Sequence, residues 1–189
     1  MGELIFVVGG AGSGKSAFAL EMAKNHAEKA VFVATSASED KEMERKIKNH
    51  QKERPAHWNT IEAAATPFDI IWRNGKMSCL LVDSLTLWVS TLLMKRAGRD
   101  VIIQKCESFL RGAQAKFKQT IVVSDEVGLG IVPSTRLARD FREILGAVNQ
   151  QAAEIADRVF LISVGLPVQL KGQRSAVSDR LSAKTGKKL

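Results

Sequence analysis

The chain has 189 residues, of which 45% are apolar and 25% charged, and a formal net charge of +8. These proportions fit one globular domain with a substantial core, and no apolar run approaches the roughly 20 residues that cross a bilayer. No basic region precedes the first apolar run, so no signal peptide is expected, and Cys79 and Cys106 lack CxxC spacing and read as free thiols of a cytoplasmic protein.

In chain order, the apolar run Leu4 to Val8 leads into Gly9-Gly10-Ala11-Gly12-Ser13-Gly14-Lys15-Ser16 and then into the helical segment Ala17 to Ala23. Strand, glycine loop and helix in that order are the setting of a phosphate-binding loop. Small residues let the backbone wrap an anion closely, and the N–H groups of the loop and the helix start face it. Lys15 would reach the terminal phosphates of a nucleotide, and the Ser16 hydroxyl would ligate Mg²⁺.

Ala30 to Ala34 is a second short strand, and Ala34-Thr35-Ser36 would close it at the carboxyl edge of a parallel sheet, where such folds bind ligands. Between Glu39 and Arg54 the residues Met43, Ile47 and His50 are spaced four and three apart, which predicts one face of a helix ended by Pro55. Trp58 to Ala63 predicts a short extended piece, and Thr66 to Asp69 the start of a brief helix. Ser78 to Asp83 is a continuous apolar run that ends on an acid, the pattern of a buried parallel strand. Asp83 has two open readings: a Walker-B-like residue beside the Mg²⁺, or a cap of the helix that follows.

Val101 to Phe117 predicts an outer amphipathic helix, Thr120 to Ser124 a buried strand, and Asp125 to Pro133 a glycine-bearing loop at its end. From Ser134, the positions Leu137, Phe141, Leu145, Val148, Ala152 and Ile155 predict a long helix, Arg158 to Ser163 a strand, and Gly165 to Leu170 an edge. The alternation predicts an α/β fold: a single P-loop NTPase-like, RecA-like domain over residues 1–170, with a mostly parallel sheet flanked by helices. From Lys171 to Leu189 six bases and one acid supply +5 of the net +8, and the segment reads as a basic, mobile tail. Neither a recognition helix nor interleaved basic and aromatic residues accompany it, so no nucleic-acid partner is expected.

Several segments carry a resemblance beyond the phosphate loop. They are Ala34-Thr35-Ser36; Arg45-x-Ile47-x-x-His50 followed by Arg54-Pro55 and Trp58; Val82 to Trp88; Glu126-Val127-Gly128 with Gly130 to Pro133; Arg136-x-x-Arg139-Asp140-Phe141-Arg142; and Gly146-x-x-Asn149-Gln150. In this order the chain resembles the bifunctional adenosylcobinamide kinase/adenosylcobinamide-phosphate guanylyltransferase family of cobalamin biosynthesis, from about Leu4 to Leu170.

The resemblance implies two reactions. Adenosylcobinamide would take the γ-phosphoryl group of ATP or GTP, and GTP would then guanylylate a histidine, from which adenosylcobinamide phosphate captures GMP. By motif that histidine is His50, with Lys15 as the other catalytic residue. The nucleotide-contact residues carried over are Ala34, Thr35, Ser36, Gln51, Lys52, Glu53, Arg54, Glu62 and Asp83, with Mg²⁺ on Ser16 and Asp83. Many members carry a second histidine where this chain has Asn49, which bears on a supporting role there and not on the transfer. A homotrimer is also implied. The alternative is a plain P-loop small-molecule kinase in which His50 is a surface residue. His57 and the three tryptophans read as packing residues, and His26 as a favourable charge at a helix end.

Overall fold

The apolar runs of the sequence become the strands of one seven-stranded sheet, in the order β3-β2-β4-β5-β1-β6-β7. The computed structural model describes residues 1–26, 30–35, 55–62 and 78–172. The strands are β1 Glu3–Gly9, β2 Ala30–Ala34, β3 Asn59–Glu62, β4 Cys79–Asp83, β5 Gln119–Asp125, β6 Arg158–Ser163 and β7 Leu166–Lys171. Among the described residues the helices are α1 Lys15–His26, α2 Leu85–Met94, α3 Arg99–Lys116 and α4 Arg136–Ile155. The pairings are parallel except for β6 with β7, which is antiparallel. The helices predicted over Glu39–Arg54 and from Thr66 lie outside the described residues.

Successive side chains of a strand point to opposite faces, and a parallel sheet is covered on both. Accordingly Leu4, Phe6 and Val8 of β1 enter one core with α2, α3 and α4, while Ile5 and Val7 enter a second core with α1. In α3 the buried positions Ile102, Cys106, Phe109, Leu110 and Ala113 recur every three or four residues, so one stripe faces the sheet. The Trp88 ring of α2 packs edge-on against Phe109 of α3, with centroids 5.3 Å apart. Burial pushes the thiols of Cys79 and Cys106 up to about 12, so both are free and inert at neutral pH.

Two predicted boundaries shift. The helix predicted from Ser134 is α4 and starts at Arg136; its first apolar position, Leu137, is exposed and full burial begins at Ile144. A 20-residue helix spans about 30 Å and a seven-residue strand about 23 Å, so the first turns of α4 overhang the sheet. Lys171, grouped with the tail, instead ends β7. Its Nζ donates to the carbonyls of Ala153 and Glu154 at 3.0 and 2.7 Å, where the C-terminus of α4 attracts a cation.

β6 and β7 are joined by the two-residue turn Val164-Gly165, with φ of 47° and 81°. Both angles belong to the hairpin turn whose twist matches its strands, and asparagine and glycine favour it. Val164 is a β-branched residue in the left-handed region, where its Cβ crowds the backbone. Val164→Asn is expected to raise stability by about 1 kcal/mol in urea unfolding; an unchanged or lower midpoint would show that the turn is not strained by valine.

Candidate nucleotide site

The carboxyl ends of the parallel strands form the edge on which the loop Gly9 to Ser16 sits. Gly9 ends β1 and is buried; Gly10, Ala11, Gly12 and Gly14 are open to solvent. Gly12 and Gly14 have φ of 71° and 91°, which glycine adopts without a Cβ clash. Ser13 N–H donates to the Gly10 carbonyl at 3.2 Å and closes the loop. Lys15 and Ser16 open α1, whose first N–H groups have no partner inside the helix and point along the positive end of its dipole.

The loop is walled by the β6–β7 hairpin. Gly165 N–H donates to the Ser13 carbonyl at 2.9 Å. A Cβ on Gly14 would touch Gly165 Cα at 3.4 Å, and a Cβ on Gly9 would stand 2.5 Å from the Ile162 carbonyl oxygen. Phe18 of α1 packs on Phe160 of β6 with ring centroids 5.3 Å apart, which fixes the helix behind the loop.

Lys15 Nζ lies 2.5 Å from Asp125 Oδ1 and 3.3 Å from the Gly10 carbonyl, with the two side chains 11% and 24% exposed. Asp125 ends β5, directly opposite Gly9 in the β1–β5 register. Its backbone is held on both sides: its N–H donates to Thr86 Oγ1 at 2.7 Å, and its carbonyl accepts from Asn149 Nδ2 at 2.9 Å. Sequence reasoning treated Asp125 only as the start of a loop. The available signal was the same one that singled out Asp83, an acid that closes a buried apolar strand.

Asp83 closes β4, which is separated from β1 by β5, so it lies two strand spacings, about 10 Å, along the edge from the loop strand. The N-cap of α2 is Ser84. Thr35, buried at the end of β2, bridges to this point: its Oγ1 donates to the Ser84 carbonyl at 2.6 Å and accepts from Ser84 N–H at 2.7 Å. Ala34 pairs with Asp83 on one side and with Glu62 on the other. Glu62 therefore stands on the edge strand β3, four spacings or about 19 Å from the loop strand. Ser36, His50, Gln51, Lys52, Glu53 and Arg54 lie outside the described residues.

Beyond Asp125 the chain turns along the same edge. Glu126 N–H donates to the Gly9 carbonyl at 2.9 Å, and the Glu126 carboxylate accepts from Gly128 N–H. Arg139 Nη1 donates to the carbonyls of Pro133 and Ser134 at 3.0 and 2.7 Å. Between these anchors Leu129, Ile131 and Val132 stand exposed.

A family model described as cobinamide kinase / cobinamide phosphate guanyltransferase matches residues 5–170. The chain is 37% identical over 175 residues to the bifunctional adenosylcobalamin biosynthesis protein CobP of Pseudomonas aeruginosa, covering 88% of this chain and 96% of that protein. It is 34% identical over 181 residues to the protein CobU of Escherichia coli, also named as bifunctional in adenosylcobalamin biosynthesis, with coverage of 89% and 99%. The CobU of Salmonella typhimurium is 35% identical over the same length and coverage. Among solved structures, a type III secretion system ATPase superposes with a TM-score of 0.60 at 14% identity, over 97% of this chain and 62% of that one. At that identity the likeness shows the P-loop ATPase fold alone.

The contact of Gly9 with Ile162 gives a direct test of the loop's packing. Gly9→Ala is expected to lower stability by about 2 kcal/mol in urea unfolding, because the added methyl meets a backbone oxygen that cannot turn away. Unchanged stability would mean that the hairpin does not press on the loop as described.

Proposed function

Because the chain belongs to the cobinamide kinase / cobinamide phosphate guanyltransferase family, we propose that it phosphorylates adenosylcobinamide and then guanylylates the product in cobalamin biosynthesis. The observation that carries the first reaction is the loop Gly9 to Ser16 at the carboxyl edge, with the Lys15 ammonium folded onto it. A nucleotide polyphosphate laid along the loop meets the first N–H groups of α1 and the ammonium of Lys15. The alcohol oxygen of the acceptor attacks the γ-phosphorus of ATP or GTP, the bond to the β-phosphate oxygen breaks, and the nucleoside diphosphate leaves. Lys15 balances the charge that builds on the transferred and departing oxygens.

The donors at this edge are oxygens: the Ser16 hydroxyl and the carboxylates of Asp83 and Asp125. Such a hard set suits Mg²⁺, which takes one or two carboxylates together with phosphate oxygens. Ser16 and Asp83 are the residues proposed to hold it, and the ion would neutralise phosphate charge when bound.

For the second reaction His50 is proposed as the nucleophile, on the family motif. A neutral ring nitrogen attacks the α-phosphorus of GTP and pyrophosphate leaves. A phosphate oxygen of adenosylcobinamide phosphate then attacks the same phosphorus, the P–N bond breaks, and the imidazole is restored. Gln51, Lys52, Glu53 and Arg54 beside it, with Ala34, Thr35, Ser36 and Glu62, are the proposed nucleotide contacts. Ala34, Thr35 and Glu62 do share the carboxyl edge with the loop, which supports that reading.

A homo-oligomer is proposed as well, a trimer by the resemblance. The outer strand β7 supports it by leaving Leu166, Val168 and Leu170 exposed along a sheet edge. No helix among the described residues is long and apolar enough to cross a membrane. The cytoplasm, where ATP and GTP are supplied, is the proposed location.

Two variants separate the two reactions. Lys15→Ala is expected to slow phosphoryl transfer by a factor on the order of 10² or more; near-normal turnover would remove the loop from the mechanism. With α-labelled GTP and Mg²⁺, the parent protein is expected to form an acid-labile covalent adduct that His50→Ala cannot form, while some kinase activity persists. Label retained in His50→Ala would move the nucleophile elsewhere, and no label in the parent would leave a plain kinase.

A further inference from the structure

Lys15 is needed at the phosphates, yet its ammonium is paired with Asp125 at 2.5 Å. The backbone that carries this carboxylate is held in place. Its backbone N–H and carbonyl are tied to Thr86 and Asn149, and the β1–β5 ladder continues past it through Glu126 N–H to Gly9. Asp125 thus presents an anion from a fixed backbone position beside the loop Gly9 to Ser16.

Two consequences follow from charge alone. An arriving polyphosphate has to draw Lys15 from its partner, and it then lies beside a carboxylate left without its cation. Both effects oppose the binding of a bare phosphate chain, because unlike charges are lost and like charges gained in a partly buried place. A divalent cation reverses the second effect, since it can balance the phosphate oxygens and the carboxylate edge together.

We propose that Asp125 is a positioning residue that makes nucleotide binding depend on the divalent cation: it holds Lys15 back from metal-free phosphates and releases it when a cation balances the carboxylate. The proposal rests on the reading of Gly9 to Ser16 as the nucleotide site. Coupling of this kind is reciprocal, so the nucleotide tightens the cation by the same factor as the cation tightens the nucleotide.

The test is a fluorescence titration of the full chain with N-methylanthraniloyl-GTP, in Mg²⁺ and in excess EDTA. Asp125→Asn keeps the side-chain shape and removes its charge. Its affinity in EDTA is expected to rise about tenfold over the parent, within the usual range of ligand coupling, and the ratio of the two affinities to shrink accordingly. A folding defect lowers affinity in both media and cannot raise it in one, so a purely structural role does not produce this result. Affinity in EDTA that is unchanged or weaker in folded Asp125→Asn overturns the proposal. If that variant does not fold, Asp125→Ser takes its place in the same titration, and its affinity in EDTA supports or overturns the proposal in the same way. If the parent fails to bind the probe in Mg²⁺, or Lys15→Ala binds it as well as the parent, the nucleotide-site reading itself fails, an outcome distinct from an unaltered Asp125→Asn.

Discussion

The parallel ladder between β1 and β5 is the constraint on which the rest of the site depends. Both strands are buried on both faces, and seven consecutive residue pairs run from Glu3 with Gln119 to Gly9 with Asp125. A slip of one residue would turn every side chain to the opposite core, so the register is strongly specified. Its last rung sets the first glycine of the loop opposite the acid that pairs with Lys15. The start of the loop, the helix behind it and the counter-anion are therefore positioned by core packing.

Charge at this edge is arranged around a conflict. A largely buried ammonium without a partner is unfavourable, and the pairing with Asp125 offsets that penalty. The same pairing weakens the site's appeal to an anion. Asp83 lies further along the edge, beyond the intervening strand β5, so the two acids take different places despite similar sequence settings. One is the partner of the loop lysine, and the other is set beside Thr35 and Ser84, at the end of β4.

The antiparallel hairpin at the end of the described chain takes part in the site as a wall. Its tip is pinned to Ser13, its strand β6 crowds Gly9, and its turn places Val164 in a conformation that valine avoids. Unfavourable backbone of this kind persists where neighbouring contacts over-determine it, and it clusters near functional sites. Here the neighbouring contact is the glycine loop, through Ser13. Stability of the turn and shape of the loop are consequently linked.

Local patterns were enough to place most of the fold. Continuous apolar runs located β1, β2, β4, β5 and β6 to within about two residues, because strands buried on both faces leave a signal independent of partners. The glycine loop was legible because its chemistry is backbone chemistry written in small residues at close spacing. The overhang of α4, the place of Lys171 in β7 and the hairpin against the loop were not legible, since each depends on where an element ends relative to its neighbours. The decisive case is Asp125. An acid after an apolar strand is equally visible at positions 83 and 125, and the sequence by itself does not say which strand lies beside β1. The strand order, formed by contacts between segments more than 100 residues apart, decided that Asp125 and not Asp83 meets Lys15.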